Sequence, residues 1–291
     1  MGLYLKLLLT AFFWGGTFIA GRVIAPRVDP FAAAFLRFAV ASVFLVCLTW
    51  RMEGRLPALH KSQIIPVVLL GMTGVFAYNF CFFNGLKRVG AGRAALIIAN
   101  NPIFIALLSA YFFGDRLNRI KTAGILISVS GAVIVISRGH PLTLLDGQLG
   151  WGELYILGCV ASWVSFSLIG KAVMGALTPL ASICYASLIG TAALLPAAWL
   201  EGIAEALPGY TLADWLSIGY LGFFGTVLGF VWYYQGIQRI GPTKAGLFIN
   251  FVPISAILLA FFLLSEPITA SLLVGALLVT TGVYMTNRPS A

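Results

Sequence analysis

Apolar residues run in blocks of about twenty, broken by short clusters of charge, glycine and proline. The blocks fall at roughly 3–21, 31–50, 64–86, 93–113, 119–137, 151–171, 179–200, 212–236, 243–264 and 268–287. A helix of about 20 apolar residues crosses a hydrocarbon core about 30 Å thick. The breaks carry turn chemistry, as in Pro26-Arg27-Val28-Asp29-Pro30, Gly241-Pro242 and Glu266-Pro267. The pattern therefore predicts an all-α integral membrane protein with ten transmembrane helices. The third and eighth blocks run long, which implies tilt or an unwound end. Leu3 to Ala20 reads as the first span rather than a cleaved leader, because no small-residue cleavage site leads into a polar domain.

The pattern repeats. Gly85 to Leu117 returns 151 residues later as Gly236 to Ile268. Gly85, Arg88, Gly90, Ala94, Pro102 and Ile103 recur as Gly236, Arg239, Gly241, Ala245, Pro253 and Ile254, and Asp115 becomes Glu266. In the first two spans the offset is 149, pairing Trp14 with Trp163, Arg22 with Lys171 and Pro30 with Pro179. The unit is five spans used twice, over residues 1–140 and 150–291. An odd unit enters the bilayer from opposite sides, so the expectation is two inverted five-helix repeats, an arrangement typical of secondary transporters.

Composition agrees with a lipid environment. The chain is 60% hydrophobic and 9% charged, against about 25% charged in soluble domains. Its mean hydropathy is +0.99. With a cytoplasmic N-terminus, eleven loop Lys and Arg fall on the inner side and six on the outer. The expectation is both termini inside. The net charge of +9 then needs no nucleic-acid partner, since anionic lipid attracts it.

Much chemistry is missing. Gly170-Lys171 precedes Ala172 and lacks the upstream glycine of a phosphate-binding loop. His60 and His140 fall in breaks, and Cys47, Cys81, Cys159 and Cys184 are scattered without pairing. No catalytic set, metal site or cofactor is expected. Every acidic residue lies in a break or near a block end, so no mid-membrane proton relay is visible.

The polar residues inside the blocks mark a candidate cavity. Trp14, Thr17, Tyr78, Asn79, Phe82, Asn101, Trp163, Ser167, Tyr234, Gln235 and Asn250 are its expected lining, apolar and weakly polar. Packing alone accounts for many single aromatic residues; as a set they suit a neutral or zwitterionic ligand with an apolar side chain. Pro102 and Pro253 each remove a helical hydrogen bond at equivalent positions, predicting paired kinks that serve gating. Arg37 lies two turns into the second block, where an unpaired arginine costs about 2.5–3.5 kcal/mol on insertion scales. It reads either as a structural, snorkelling arginine or as a carboxylate-facing group at the cavity mouth. Its repeat counterpart is Ala186, so either role is asymmetric.

The Trp14-Gly15-Gly16 opening, Pro30 with Arg37-Phe38, and the paired Pro102/Asp115 and Pro253/Glu266 hairpins resemble the drug/metabolite transporter superfamily, in its EamA-repeat branch. The likeness covers nearly the whole chain and is greatest to bacterial aromatic amino-acid exporters of the YddG type. It implies a bacterial inner-membrane carrier, not an enzyme, exporting amino acids and related metabolites by alternating access. Other small metabolites or lipophilic drugs stay open as cargo, although a cation exporter would want a central carboxylate and a nucleotide carrier several central basic groups. A receptor or scaffold would be expected to carry a large loop, tail or soluble module, and none is seen. The residues set neither ion coupling nor oligomeric state; a monomer is compatible with them.

Overall fold

The computed structural model describes residues 2–113, 118–144, 150–173, 177–240 and 242–286. Among them the regular structure is helical, with no strand. The first half comprises α1 (Gly2–Ile24), α2 (Pro30–Glu53), α3 (Lys61–Leu70), α4 (Tyr78–Leu86), α5 (Ala91–Ile98), α6 (Asn101–Phe113) and α7 (Arg119–Ile136). The second comprises α8 (Trp151–Val173), α9 (Pro179–Leu200), a short α10 (Ile203–Ala206), α11 (Leu212–Gly219), α12 (Gly229–Ile240), α13 (Pro242–Ile249), α14 (Phe251–Leu264) and α15 (Ala270–Thr286). Eight helical runs are long and apolar enough to cross a membrane, whereas α14 and α15 fall short of that length. Apolar side chains such as Trp50, Ile65, Phe262 and Leu277 face outward, as a lipid-solvated surface requires.

Local sequence explains the breaks. Pro30 and Pro179 each sit at the first position of their helix, where a missing N–H removes no helical bond. Thr178 caps α9 by accepting from the Ala181 amide at 3.1 Å. The turn between α5 and α6 comes just before Pro102, and that between α13 and α14 just before Pro253. The long third and eighth runs stay continuous, and each contains a π segment, Gly71–Ala77 and Tyr220–Leu228. The extra length of each run thus includes an internal π segment.

Contacts between the halves are reciprocal. α7 packs along α15, α2 along α9, α1 on α12 and α14, and α8 on α4, α5 and α6. A Cβ on Gly71 would lie 3.0 Å from the Ala186 carbonyl oxygen, and one on Gly222 2.8 Å from that of Arg37. Gly71 and Gly222 are repeat mates, and so are Arg37 and Ala186. On the α7–α15 seam Gly124 abuts the Gly282 carbonyl and Gly131 that of Gly275, again exchanging mates. These glycine contacts of one half on the other thus recur with roles exchanged.

Candidate functional site

Aromatic rings from both halves meet between α1, α4, α8 and α12. Trp163 of α8 lies 5.6 Å from Tyr78, 5.4 Å from Phe166 and 6.2 Å from Phe230, centroid to centroid. Phe230 continues to Trp14 at 5.6 Å, and Trp14 to Tyr233 at 5.4 Å. On the other side Tyr78 stacks on Phe82 at 5.9 Å, and Phe82 meets Phe18 at 5.4 Å. These are contact separations for aromatic pairs, and Trp14, Tyr78, Trp163 and Phe230 are each only partly buried.

Polar groups fix the cluster to the backbone. The Trp14 indole N–H donates to the Gly225 carbonyl of the π segment at 2.9 Å. Thr17 and Ser167 donate to the Trp14 and Trp163 carbonyls at 2.6 and 2.8 Å. Both hydroxyls therefore serve their own helices here.

Arg37 borders the cluster. It is 8% exposed. Its Nη1 donates to Asn79 Oδ1 at 2.9 Å, and Nε and Nη2 share Thr226 Oγ1 at 3.3 Å. Both acceptors are pre-oriented. Asn79 Nδ2 donates to the Val75 carbonyl at 2.7 Å, and the Thr226 hydroxyl donates to the Leu221 carbonyl at 3.0 Å. The guanidinium also lies over the rings of Phe38 and Phe82, at 5.2 and 6.0 Å. These bonds hold the guanidinium between α4 and the second π segment.

The other expected residues divide. Asn101 is buried, and its Oδ1 has no partner among the described residues. Its neighbour Asn100 holds the helix break: Nδ2 donates to the Leu96 carbonyl at 2.9 Å and Oδ1 accepts from Ser128 Oγ at 2.7 Å. Pro102 starts α6 beside it; Pro253 is buried in α14, and Asn250 is half-buried at the α13–α14 junction. Gln235 stands apart from the rings, accepting from Lys6 Nζ at 3.2 Å. The side chain of Tyr234 lies outside the described residues. Thr226 and the bracing carbonyl of Gly225 were not among the expected residues; the glycine run Gly222, Gly225, Gly229 around them reads from sequence as close helix packing.

One end of the bundle, opposite the N-terminus, is tied across the halves by charge. Arg27 pairs with the buried Asp214 at 2.7 Å, and Arg93 with Glu153 at 3.5 Å. Glu266 accepts from the Ala91 and Gly92 amides at the start of α5, at 2.9 and 3.4 Å. Glu201 accepts from the Phe31 and Ala32 amides at the start of α2, at 2.9 and 3.0 Å. Burial pushes the Glu201 carboxyl above its ordinary range, opposed by those amides. At the other end the described cross-half hydrogen bonds have at most one charged partner: Lys6 to Gln235, Thr178 to Glu53 and Tyr185 to the Pro57 carbonyl.

A bundle of long apolar helices with an aromatic and polar centre defines a multi-pass membrane protein. The chain belongs to the EamA-like transporter family, whose model matches residues 1–137 and again 150–288. It is 31% identical over 286 residues to a protein of Streptantibioticus cattleyicolor described as a probable terminal-alkyne amino-acid exporter, covering 97% of this chain and 92% of that one. It is 28% identical over 283 residues to the uncharacterized transporter YyaM of Bacillus subtilis, covering 97% and 92%. An Escherichia coli protein described as a probable amino-acid metabolite efflux pump is 26% identical over 291 residues, covering 96% and 92%. One crystal structure shares the fold, with a TM-score of 0.65 at 20% identity, covering 98% of this chain and 96% of the other. The chain is thus a transporter rather than an enzyme.

Proposed function

We propose that this transporter is a secondary carrier that exports amino acids, aromatic and other neutral ones, and related metabolites by alternating access. The observation that carries the reading is the ring cluster linking Trp14, Phe230, Trp163, Tyr78 and Phe82 across both halves. Rings in mutual contact, with a single charge beside them, suit an apolar side chain on a small polar head. Two relatives described as exporting amino acids or their metabolites support the cargo class.

In this reading the chain has ten spans, arranged as two inverted five-helix units at 1–140 and 150–291. The reciprocal contacts support that pairing, with α13 and α14 acting together as the ninth span. The loop Lys and Arg put both termini in the cytoplasm of a bacterial inner membrane. The charged contacts then close the outer face, and the kinks at Pro102 and Pro253 govern the exchange of conformations. The lining is Trp14, Thr17, Tyr78, Asn79, Phe82, Asn101, Trp163, Ser167, Tyr234 and Asn250; Gln235 is left to the inner rim by its bond to Lys6.

The test is uptake of labelled phenylalanine or tryptophan into proteoliposomes, first without a gradient and then with an imposed pH gradient. Saturable uptake without a gradient supports a carrier needing no coupling ion. Uptake only with the gradient supports proton coupling. No uptake in either case sinks the amino-acid reading.

A further inference from the structure

Arg37 is a buried cation without a described anion. Its partners, Asn79 and Thr226, are neutral. The ion pairs among the described residues all lie elsewhere. These bonds engage three of its five N–H groups, leaving one on each terminal nitrogen. A guanidinium stays charged at every physiological pH, and neutral acceptors compensate a buried charge poorly.

The surroundings are one-sided. The repeat equivalents of Arg37, Thr226 and Asn79 are Ala186, Val75 and Phe230. One half therefore presents a cationic pole where the other presents an apolar one. Phe82, Tyr78, Trp163 and Phe230 form a chain of rings leading away from the guanidinium. A tether joining two helices needs no such polarity; a site for an amphiphilic anion does.

We infer that Arg37 receives the carboxylate of the transported molecule, whose apolar side chain then lies along the rings toward Trp163 and Phe230. Resting on the amino-acid reading above, this narrows the substrate to apolar monocarboxylates and makes the ammonium group dispensable. It also fixes one binding orientation, since the opposite pole carries no cation.

The test is a titration of intrinsic tryptophan fluorescence in detergent, run beside proteoliposome uptake. The probes are phenylalanine, 3-phenylpropionate, which lacks the ammonium, and phenethylamine, which lacks the carboxylate. The wild type should bind the first two, and the third at least about tenfold more weakly. Arg37→Met should erase that preference, and Arg37→Lys should restore part of it. If Arg37→Met does not fold, Asn79→Asp keeps the arginine and supplies an internal carboxylate, and it should weaken both carboxylate probes by about tenfold. Folding is checked by thermal midpoint and elution volume. Phenylalanine uptake with the carboxylate preference intact in Arg37→Met and Asn79→Asp overturns the assignment and leaves the carrier reading standing. Absent phenylalanine uptake, with 3-phenylpropionate binding that Asn79→Asp removes, does the reverse. No binding of either carboxylate overturns both.

Discussion

Trp14 and Trp163 are repeat mates held in different ways. Trp14 is tied by its indole N–H to the Gly225 carbonyl, whereas Trp163 makes ring contacts with Tyr78, Phe166 and Phe230. Trp14→Phe keeps a ring but leaves a buried carbonyl without that donor, at a cost of about 1–3 kcal/mol. Its thermal midpoint in detergent should fall, whereas Trp163→Phe should leave the midpoint near wild type and raise KM for uptake. An unchanged midpoint in Trp14→Phe would show that Gly225 is satisfied by other means. Glu201 makes a pH prediction. Burial raises its folded-state pKa, so folding favours the protonated carboxyl. Its contribution to stability is complete below the unfolded value of about 4.5 and is lost as pH rises through the raised folded value. Between pH 4 and pH 7 the wild-type midpoint should decline relative to Glu201→Gln. A parallel profile for the two proteins would remove Glu201 as the source.

At the scale of elements, the break between α5 and α6 is built from side chains. Ser128 of α7 donates to Asn100, whose amide in turn supports the Leu96 and Ile97 carbonyls. Ser128→Ala leaves a buried acceptor open and should destabilise by about 1–3 kcal/mol, read by thermal unfolding. Pro102→Ala restores a backbone donor and should slow uptake turnover more than it weakens binding. Weaker binding at unchanged turnover would instead assign the proline to the site. The break was legible because proline cannot donate. The π segments were not, because inserting one residue into a helical turn leaves the hydropathy pattern intact, and Gly222 and Gly225 read equally well as packing residues. On α12 Tyr233 meets Trp14, whereas Gln235, two residues on and about 200° further round the helix, accepts from Lys6. Arg37 was legible as an exception but its partners were not, since they come from α4 and from a π segment about 190 residues away.

For the whole molecule, the alternating-access proposal asks the repeat to give one chain two shapes, with the charged contacts on one face selecting between them. Arg27–Asp214, Arg93–Glu153 and the Glu266 contact with α5 all join opposite halves at the end away from the N-terminus. Opening that face for transport has to separate them, so weakening them should favour the open shape. Arg27→Gln with Glu266→Gln removes one ion pair and weakens one charged cap, together about 1–3 kcal/mol. That bias changes the ratio of the two shapes by about 5- to 150-fold. Cys81 reports on the change. It is half-buried on α4, three residues beyond Tyr78, and packs against Gly158 of α8. In a protein whose other three cysteines are replaced, an impermeant thiol reagent applied from the charged face should label Cys81 faster in the double variant than in its parent. Loosening of the fold would also speed labelling, so the opposite face is the control. An exchange of shapes lowers the rate from that side as it raises it from the first, whereas local unfolding raises both. A rise on both faces, or on neither, would reduce these contacts to structural ties. A rise on one with a fall on the other would make them the gate.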